Sequence, residues 1–153
     1  MLTLKQKFIY IFFISFFILI NGCKKKSDMK KIIETKKAPL PIGPYSQAVE
    51  IKKFLFVSGQ IGIDPESGKL LNDNIKIETE QVMENINSIL EASNRNFGNV
   101  VKTSIFLRDL ENFDKVNSIY SKYFDEDTSP AREAIEVSRL PKDANVEISI
   151  IAF

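Results

Sequence analysis

The chain has 153 residues, of which 44% are hydrophobic and 27% charged, with a net charge of +1; this is the composition of one ordinary globular domain. It contains no histidine and only one cysteine. A zinc site of the usual kind, Ser-His-Asp or Cys-His catalysis and a disulfide within the chain are therefore excluded.

Residues 1–22 are predicted to be a signal peptide of the lipoprotein type. Two lysines precede an uncharged run over residues 8–20, which is too short to span a bilayer of about 30 Å. Cys23 follows a glycine and resembles the lipidated cysteine of bacterial lipoproteins, although the two residues before that glycine depart from the usual motif. The alternatives are an uncleaved membrane anchor, or a plain signal peptide with an incidental cysteine. In each case we expect an exported domain held at a membrane, in the periplasm or at the cell surface.

The next segment, residues 23–37, is predicted to be a solvated tether because it contains seven lysines and only two acidic residues. Contact of these lysines with anionic lipid headgroups is compatible with that role. The remaining domain, residues 38–153, has 12 basic and 18 acidic residues, a net charge of −6. A domain of that sign repels phosphate backbones, so no nucleic-acid partner is expected.

In some segments of the domain apolar residues occur at every second position, as in a strand. In other segments they occur at the spacing of a helix face. The predicted elements, in chain order, are strands over 45–51 and 54–63 joined by a hairpin, a turn over 64–69, a helix over about 76–94, a strand over 100–109, a second helix capped by Asp109, and strands over about 132–138 and 145–152.

This order predicts an α+β fold, with a mixed sheet of about six strands and two helices packed on one face. The other face is not expected to be polar, because the strand segments "FLFV", "SIFL" and "ISIIAF" are apolar at both alternating positions. We therefore predict that a second subunit buries it, which makes the protein a homo-oligomer.

The last two strands flank "RLPK", which predicts an antiparallel hairpin. If the hairpin is centred between Arg139 and Leu140, Arg132 lies opposite Glu147, with Cβ atoms about 5 Å apart on one face. Such a pair is either an ordinary cross-strand ion pair worth about 0.2–1 kcal/mol, or part of a binding site for a small organic acid.

Four segments decide between these readings: "IGPYSQAV", "FVSGQIGIDPESG", "VVKTSIFLRDLENFDKVNSIYSKYF" and "SPAREAIEVSRLPKDANVEISIIA". They resemble the RidA/YjgF family of reactive-intermediate deaminases over essentially all of 38–153. The resemblance implies a homotrimer with a chorismate-mutase-like subunit fold, sheets packed around the centre and sites in the clefts between subunits. It implies hydrolysis of enamines and imines, such as 2-aminoacrylate or 2-iminopropanoate, to 2-keto acids and ammonia, without a cofactor.

The resemblance also implies roles for individual residues. Arg132 corresponds to the arginine that grips the substrate carboxylate, and Glu147 to the glutamate that orients water. The substrate-binding positions it implies are Tyr45, Ser58, Gly59, Asn117, Pro130 and Ala134. From the residues alone other interpretations stay open: a core aromatic for the tyrosine, a simple bulge for the serine-glycine pair and an exposed helix position for the asparagine.

The sequence departs from the family pattern in three places. Ala134 stands where many members have cysteine, the segment between Tyr120 and Arg132 is about two residues shorter, and the leader is unusual for the family. The first hypothesis is an exported imine deaminase. The alternative is a non-catalytic binder of small carboxylates, such as 2-keto acids, at the cell envelope. An endoribonuclease-like role is disfavoured by the acidic domain and the missing histidine.

Overall fold

The computed structural model describes residues 29–153. The predicted signal peptide, the proposed lipidation site Cys23 and the first part of the predicted tether lie outside the described residues. Within 29–153 no helix combines the length and the apolar character needed to cross a lipid bilayer.

Within residues 29–153, six strands form one sheet, in the order β1-β2-β3-β6-β4-β5, and two α-helices accompany it. The elements are β1 Lys31–Ile33, β2 Ala48–Ile51, β3 Phe54–Gln60, α1 Ile75–Ala92, β4 Val100–Leu107, α2 Phe113–Tyr120, β5 Ala131–Glu136 and β6 Val146–Ala152. Neighbouring strands are antiparallel except β4 and β5, which are parallel. The predicted mixed sheet of six strands with two helices is confirmed.

The core lies between the two helices and one face of the sheet. On α1, Val82, Ile86 and Ile89 follow helical spacing and are completely buried. They belong to the same cluster as sheet residues such as Leu55 and Ile148. Burial of this one apolar stripe explains why α1 holds its position against the sheet.

The opposite face of the sheet, here called the outer face, is apolar and open in the single chain. Alternating strand residues on it keep between 37 and 47% of their surface exposed: Ile32, Ile51, Phe54, Phe56 and Ile135. A polar cluster lies among them, in which Glu133 accepts from Ser104 and Lys102. An open apolar face of this kind marks an interaction surface, and its burial by a second subunit stays a prediction.

The predicted hairpin between the last two strands is wrong, because β4 lies between β5 and β6. Arg132 is opposite Thr103, and Glu147 is opposite Phe106 on the other side of β4. The physical reason is that α2 carries the chain over the sheet, so that β5 returns parallel to β4 and the crossover replaces a tight turn.

The predicted tether is also wrong in part, since residues 31–33 form β1. Ile33 is only 3% exposed and stands opposite Ala48. Burial of this isoleucine at the sheet edge outweighs the solvation of the neighbouring lysines, one of which, Lys31, pairs with Glu50.

Candidate active site: two half-sites on one chain

A cleft of about 320 Å³ lies at the end of β3, and we call it the glutamate cleft. It is lined by Pro39, Leu40, Ile42, Tyr45, Gln47, Ser58, Gly59, Gln60, Ile61, Ile63, Pro141 and Glu147. The structure thus brings together four of the residues that the sequence assigned to a site: Tyr45, Ser58, Gly59 and Glu147.

Glu147 lies directly over Gly59. A Cβ atom at position 59 would be 1.8 Å from Oε1 of Glu147, so only glycine is compatible with the carboxylate in this position. The pairing of β3 with β6 is irregular between Val57 and Gln60, which is the bulge that the sequence left open for Ser58 and Gly59. The bulge therefore forms the floor beneath the carboxylate.

The Glu147 carboxylate has no hydrogen-bond donor among residues 29–153. Its half-buried position raises its pKa above the ordinary value of 4.5, and desolvation is the cause. An unpaired, partly desolvated carboxylate at the wall of a cleft is suited to accept a proton from water or to orient it.

The chain before β2 forms the opposite wall of the glutamate cleft. The buried Gln47 holds it in place, because its side-chain nitrogen donates to the carbonyls of Ala38 and Pro39 at 3.1 and 2.8 Å. Tyr45 is 48% exposed, so it is not a core aromatic. The Ser58 hydroxyl donates to the Ser46 carbonyl at 2.7 Å, which fixes the serine to the same wall.

A second hollow, here called the arginine cleft, lies at the other edge of the sheet and has a volume of about 360 Å³. Its lining residues are Asn117, Tyr120, Ser121, Phe124, Glu126, Ser129, Pro130 and Arg132. Three of the predicted site residues, Asn117, Pro130 and Arg132, therefore meet here.

Arg132 is exposed but its guanidinium is fixed. Its Nη1 donates to Oδ1 of Asn117 at 2.6 Å. The guanidinium carbon lies 5.0 Å from the ring centre of Tyr120 and 5.5 Å from that of Phe113, distances typical of a cation–π contact. Arg132 lines the hollow, and its other N–H groups make no hydrogen bond within residues 29–153, so they are available to a planar anion.

The two clefts lie on opposite faces of the sheet. Arg132 shares the helix-covered face with Thr103, whereas Glu147 shares the outer face with Phe106, three residues further along β4. One chain therefore cannot bring the two charged groups to one small ligand. Ala134 lines neither cleft, since it packs against the core.

Two aromatic rings lie beneath Arg132, and the sequence did not indicate their contact with the guanidinium. Tyr120 is a core residue, 5% exposed, with its hydroxyl donating to Oγ1 of Thr103 at 3.0 Å. Burial raises the pKa of this hydroxyl. The spacing of Phe113 and Tyr120, seven residues apart on one helix, was the available signal for a shared face.

The fold is shared by known proteins. A family model described as Endoribonuclease L-PSP matches residues 35–153. The 2-iminobutanoate/2-iminopropanoate deaminase of Mus musculus is 45% identical over 126 residues, covering 82% of this chain and 93% of that protein.

Two solved structures extend the comparison. YyfA of Yersinia pestis, described as a member of the conserved Rid protein family, has 46% identity and a TM-score of 0.79, over 81% of this chain and 98% of its own. TdcF of Escherichia coli with bound serine has 38% identity and a TM-score of 0.75, over 80% of this chain and 97% of its own. The chain belongs to the RidA/YjgF family, that of the L-PSP model.

Proposed function

We propose that this protein hydrolyses enamines and imines of the 2-aminoacrylate type to 2-keto acids and ammonia. The observation that carries the proposal is the pair of half-sites: a fixed guanidinium with free donors, and an unpaired carboxylate over Gly59. The mouse relative is a 2-iminobutanoate/2-iminopropanoate deaminase by name, which supports the same reaction.

In this reaction Arg132 binds the substrate carboxylate through two parallel hydrogen bonds, which a lysine cannot reproduce. Glu147 accepts a proton from water as the water oxygen bonds to the imine carbon. That proton passes to the nitrogen, which gives a carbinolamine. The hydroxyl proton then moves to the nitrogen by way of Glu147, the carbon–nitrogen bond breaks, and ammonia leaves as the keto group forms. An enamine enters the same sequence once it has gained a proton at its terminal carbon and lost one from nitrogen to become the imine. Tyr45, Ser58 and Asn117 complete the walls around the substrate.

The working form is a homotrimer in which the arginine cleft of one copy faces the glutamate cleft of the next. Two observations support this assembly: the charged groups lie on opposite faces of one chain, and the outer face carries exposed apolar side chains. The TdcF structure contains bound serine. Serine is a small amino acid, and its carboxylate is the kind of group that Arg132 would bind in this protein.

The proposal is tested by generating 2-aminoacrylate in situ and following keto-acid formation. We expect the wild-type protein to accelerate keto-acid formation. With Arg132→Ala the rate should equal that of the uncatalysed reaction. Equal rates for the two proteins contradict the catalytic role. If 2-keto acids stabilise the protein saturably in thermal-shift measurements without turnover, it is instead a binder of small carboxylates.

We propose further that the domain is exported and anchored by lipid at Cys23. The supporting features are two lysines followed by an uncharged run over residues 8–20 and by the only cysteine of the chain. Mass spectrometry of the mature N-terminus tests this directly. A peptide that begins at Cys23 with added acyl mass is expected, and an unmodified cysteine within an intact leader contradicts it.

A further inference from the structure

Glu78 in the first turns of α1 is a completely buried carboxylate. Across the described part of the chain, no lysine or arginine pairs with it. Burying a carboxylate without a cation is unfavourable unless hydrogen bonds compensate for the lost water. Glu78 therefore has to be explained by what donates to it.

All its partners are donors at the start of β6. Its Oε1 accepts from the Asn145 backbone nitrogen at 2.9 Å, and its Oε2 accepts from Asn145 Nδ2 at 2.8 Å. Burial raises the pKa of Glu78, while the Asn145 donors and the Val146 backbone N–H partly lower it. The carboxylate thus accepts from both the backbone and the side chain of Asn145, which immediately precedes β6 and lies two residues before Glu147.

The same side chain replaces a missing part of the sheet. The pairing of β3 with β6 ends at Gln60 opposite Ile148, and continuing that register would place Gly62 opposite Val146. Glu78 lies there instead: a Cβ atom at position 62 would be 2.6 Å from Cγ of Glu78. The helix residue therefore joins the segment that leaves the cleft floor to the segment that leads into Glu147.

We infer that Glu78 is a positioning residue for the hydrolysis, because it fixes the start of β6 and thereby holds the Glu147 carboxylate over Gly59. The inference rests on the proposed function only in so far as Glu147 acts on water. Glu78 itself touches no substrate, since it is completely buried.

The first test is Glu78→Gln. The amide oxygen of glutamine can still accept one hydrogen bond from Asn145. The amide nitrogen, however, is a donor and faces the other Asn145 donor, so that hydrogen bond is lost. We expect kcat to fall about ten- to hundredfold, as for a misplaced catalytic group. KM and the affinity for a 2-keto acid should change less than about twofold, because Arg132 binds the carboxylate from the other cleft.

The matched control is Glu50→Gln, which makes the same chemical change at a carboxylate paired with Arg95 and outside both clefts. It should leave kcat unchanged. The positioning role is wrong if Glu78→Gln raises KM as well as lowering kcat. It is also wrong if the variant leaves kcat unchanged. If that variant does not fold, Asn145→Ala removes the Oε2 contact, together with the hydrogen bond from Asn145 Nδ2 to the Asn72 carbonyl, and leaves the backbone contact to Oε1 in place. It should lower kcat in the same way, by a smaller factor.

A double-mutant cycle separates positioning from a general structural effect. If Glu78 acts through Glu147, the double variant Glu78→Gln/Glu147→Gln should be no slower than Glu147→Gln alone. If the loss in kcat of the double variant is instead the product of the two single losses, the inference is wrong.

Amide hydrogen exchange gives a readout that does not depend on activity. In the wild-type protein we expect the Asn145 amide, which donates to Glu78 Oε1, to be protected. Glu78→Gln should reduce that protection while core amides keep theirs. Retained protection overturns the inference. If the wild-type protein has no deaminase activity, the proposed function fails, whereas this measurement still decides whether Glu78 holds β6.

Discussion

The Glu147 carboxylate lies so close to Gly59 that the two positions are coupled. A Cβ atom at residue 59 would be 1.8 Å from Oε1 and 2.9 Å from Cγ of Glu147. Gly59→Ala must therefore displace the carboxylate, and we expect kcat for the imine to fall about 100-fold. Steady-state kinetics measure the loss; Gly98→Ala, outside both clefts, should keep the wild-type kcat. A Gly59→Ala protein with normal kcat shows that the placement of Glu147 does not matter.

Arg132→Lys tests whether the arginine cleft binds a planar carboxylate. Lysine keeps the charge but loses the paired N–H donors, so a hydrogen bond to a charged group worth about 1.5–3 kcal/mol disappears. We expect the affinity for a 2-keto acid, measured by isothermal titration calorimetry, to fall about tenfold or more. Arg139→Lys is the matched control, because Arg139 pairs with Asp143 and lines neither cleft. Equal losses in both variants contradict a specific site at Arg132.

Mixing two inactive variants tests whether the site forms between copies. Arg132→Ala retains an intact glutamate cleft, and Glu147→Gln retains an intact arginine cleft. After they are unfolded together and refolded in equal amounts, about one quarter of the contacts between copies in a closed ring pair two intact half-sites. We expect about a quarter of the wild-type rate per chain. Activity no greater than that of the separately refolded variants would place the site within one chain.

The outer face supplies a prediction about assembly. Phe56 is 44% exposed near the middle of this apolar face, so Phe56→Asp should introduce a charge into the contact between copies and release monomers. Sedimentation velocity at micromolar concentration measures the change. Ile77→Asp is the control, since Ile77 is 52% exposed on α1, away from the outer face. A wild-type protein that is already monomeric contradicts the assembly.

Local patterns in the sequence were sufficient to predict the elements but not their partners. The helical spacing of Val82, Ile86 and Ile89 places α1 within two residues of its observed ends, because one buried stripe determines it. The hairpin at Lys52 and Lys53 is confirmed as well, with Lys52 at a positive φ of 57°. In both cases the decisive contacts are local in sequence.

The pairing of β5 was missed because nothing within a strand identifies its neighbour. Arg132 and Glu147 were placed opposite each other on the assumption that consecutive strands pair, but α2 makes β5 a parallel neighbour of β4. A strand–helix–strand order favours that crossover. Glu78 escaped notice for a related reason, since its donors at Asn145 are 67 residues away.

The ion pair between Glu50 and Arg95 predicts a pH-dependent contribution to stability. Arg95 Nη2 lies 2.9 Å from Oε1 of Glu50 and joins the β2–β3 hairpin to the loop after α1. The hydrogen bond from Arg95 lowers the pKa of Glu50 below its ordinary value of 4.5. The unfolded chain therefore binds the proton first as pH falls, so the stabilisation is complete well above pH 4.5 and is lost as pH falls through the lowered folded pKa.

Glu50→Gln measures this contribution. At pH 7 we expect it to lower the free energy of unfolding by about 1 kcal/mol, as for a partly exposed pair with good geometry. Urea unfolding followed by circular dichroism at a series of pH values should show the wild type and the variant converging as the carboxylate of the wild type becomes protonated. If the difference in free energy of unfolding between the two proteins stays constant from pH 7 to below pH 3, the lost stability comes from side-chain packing and not from the charge of Glu50.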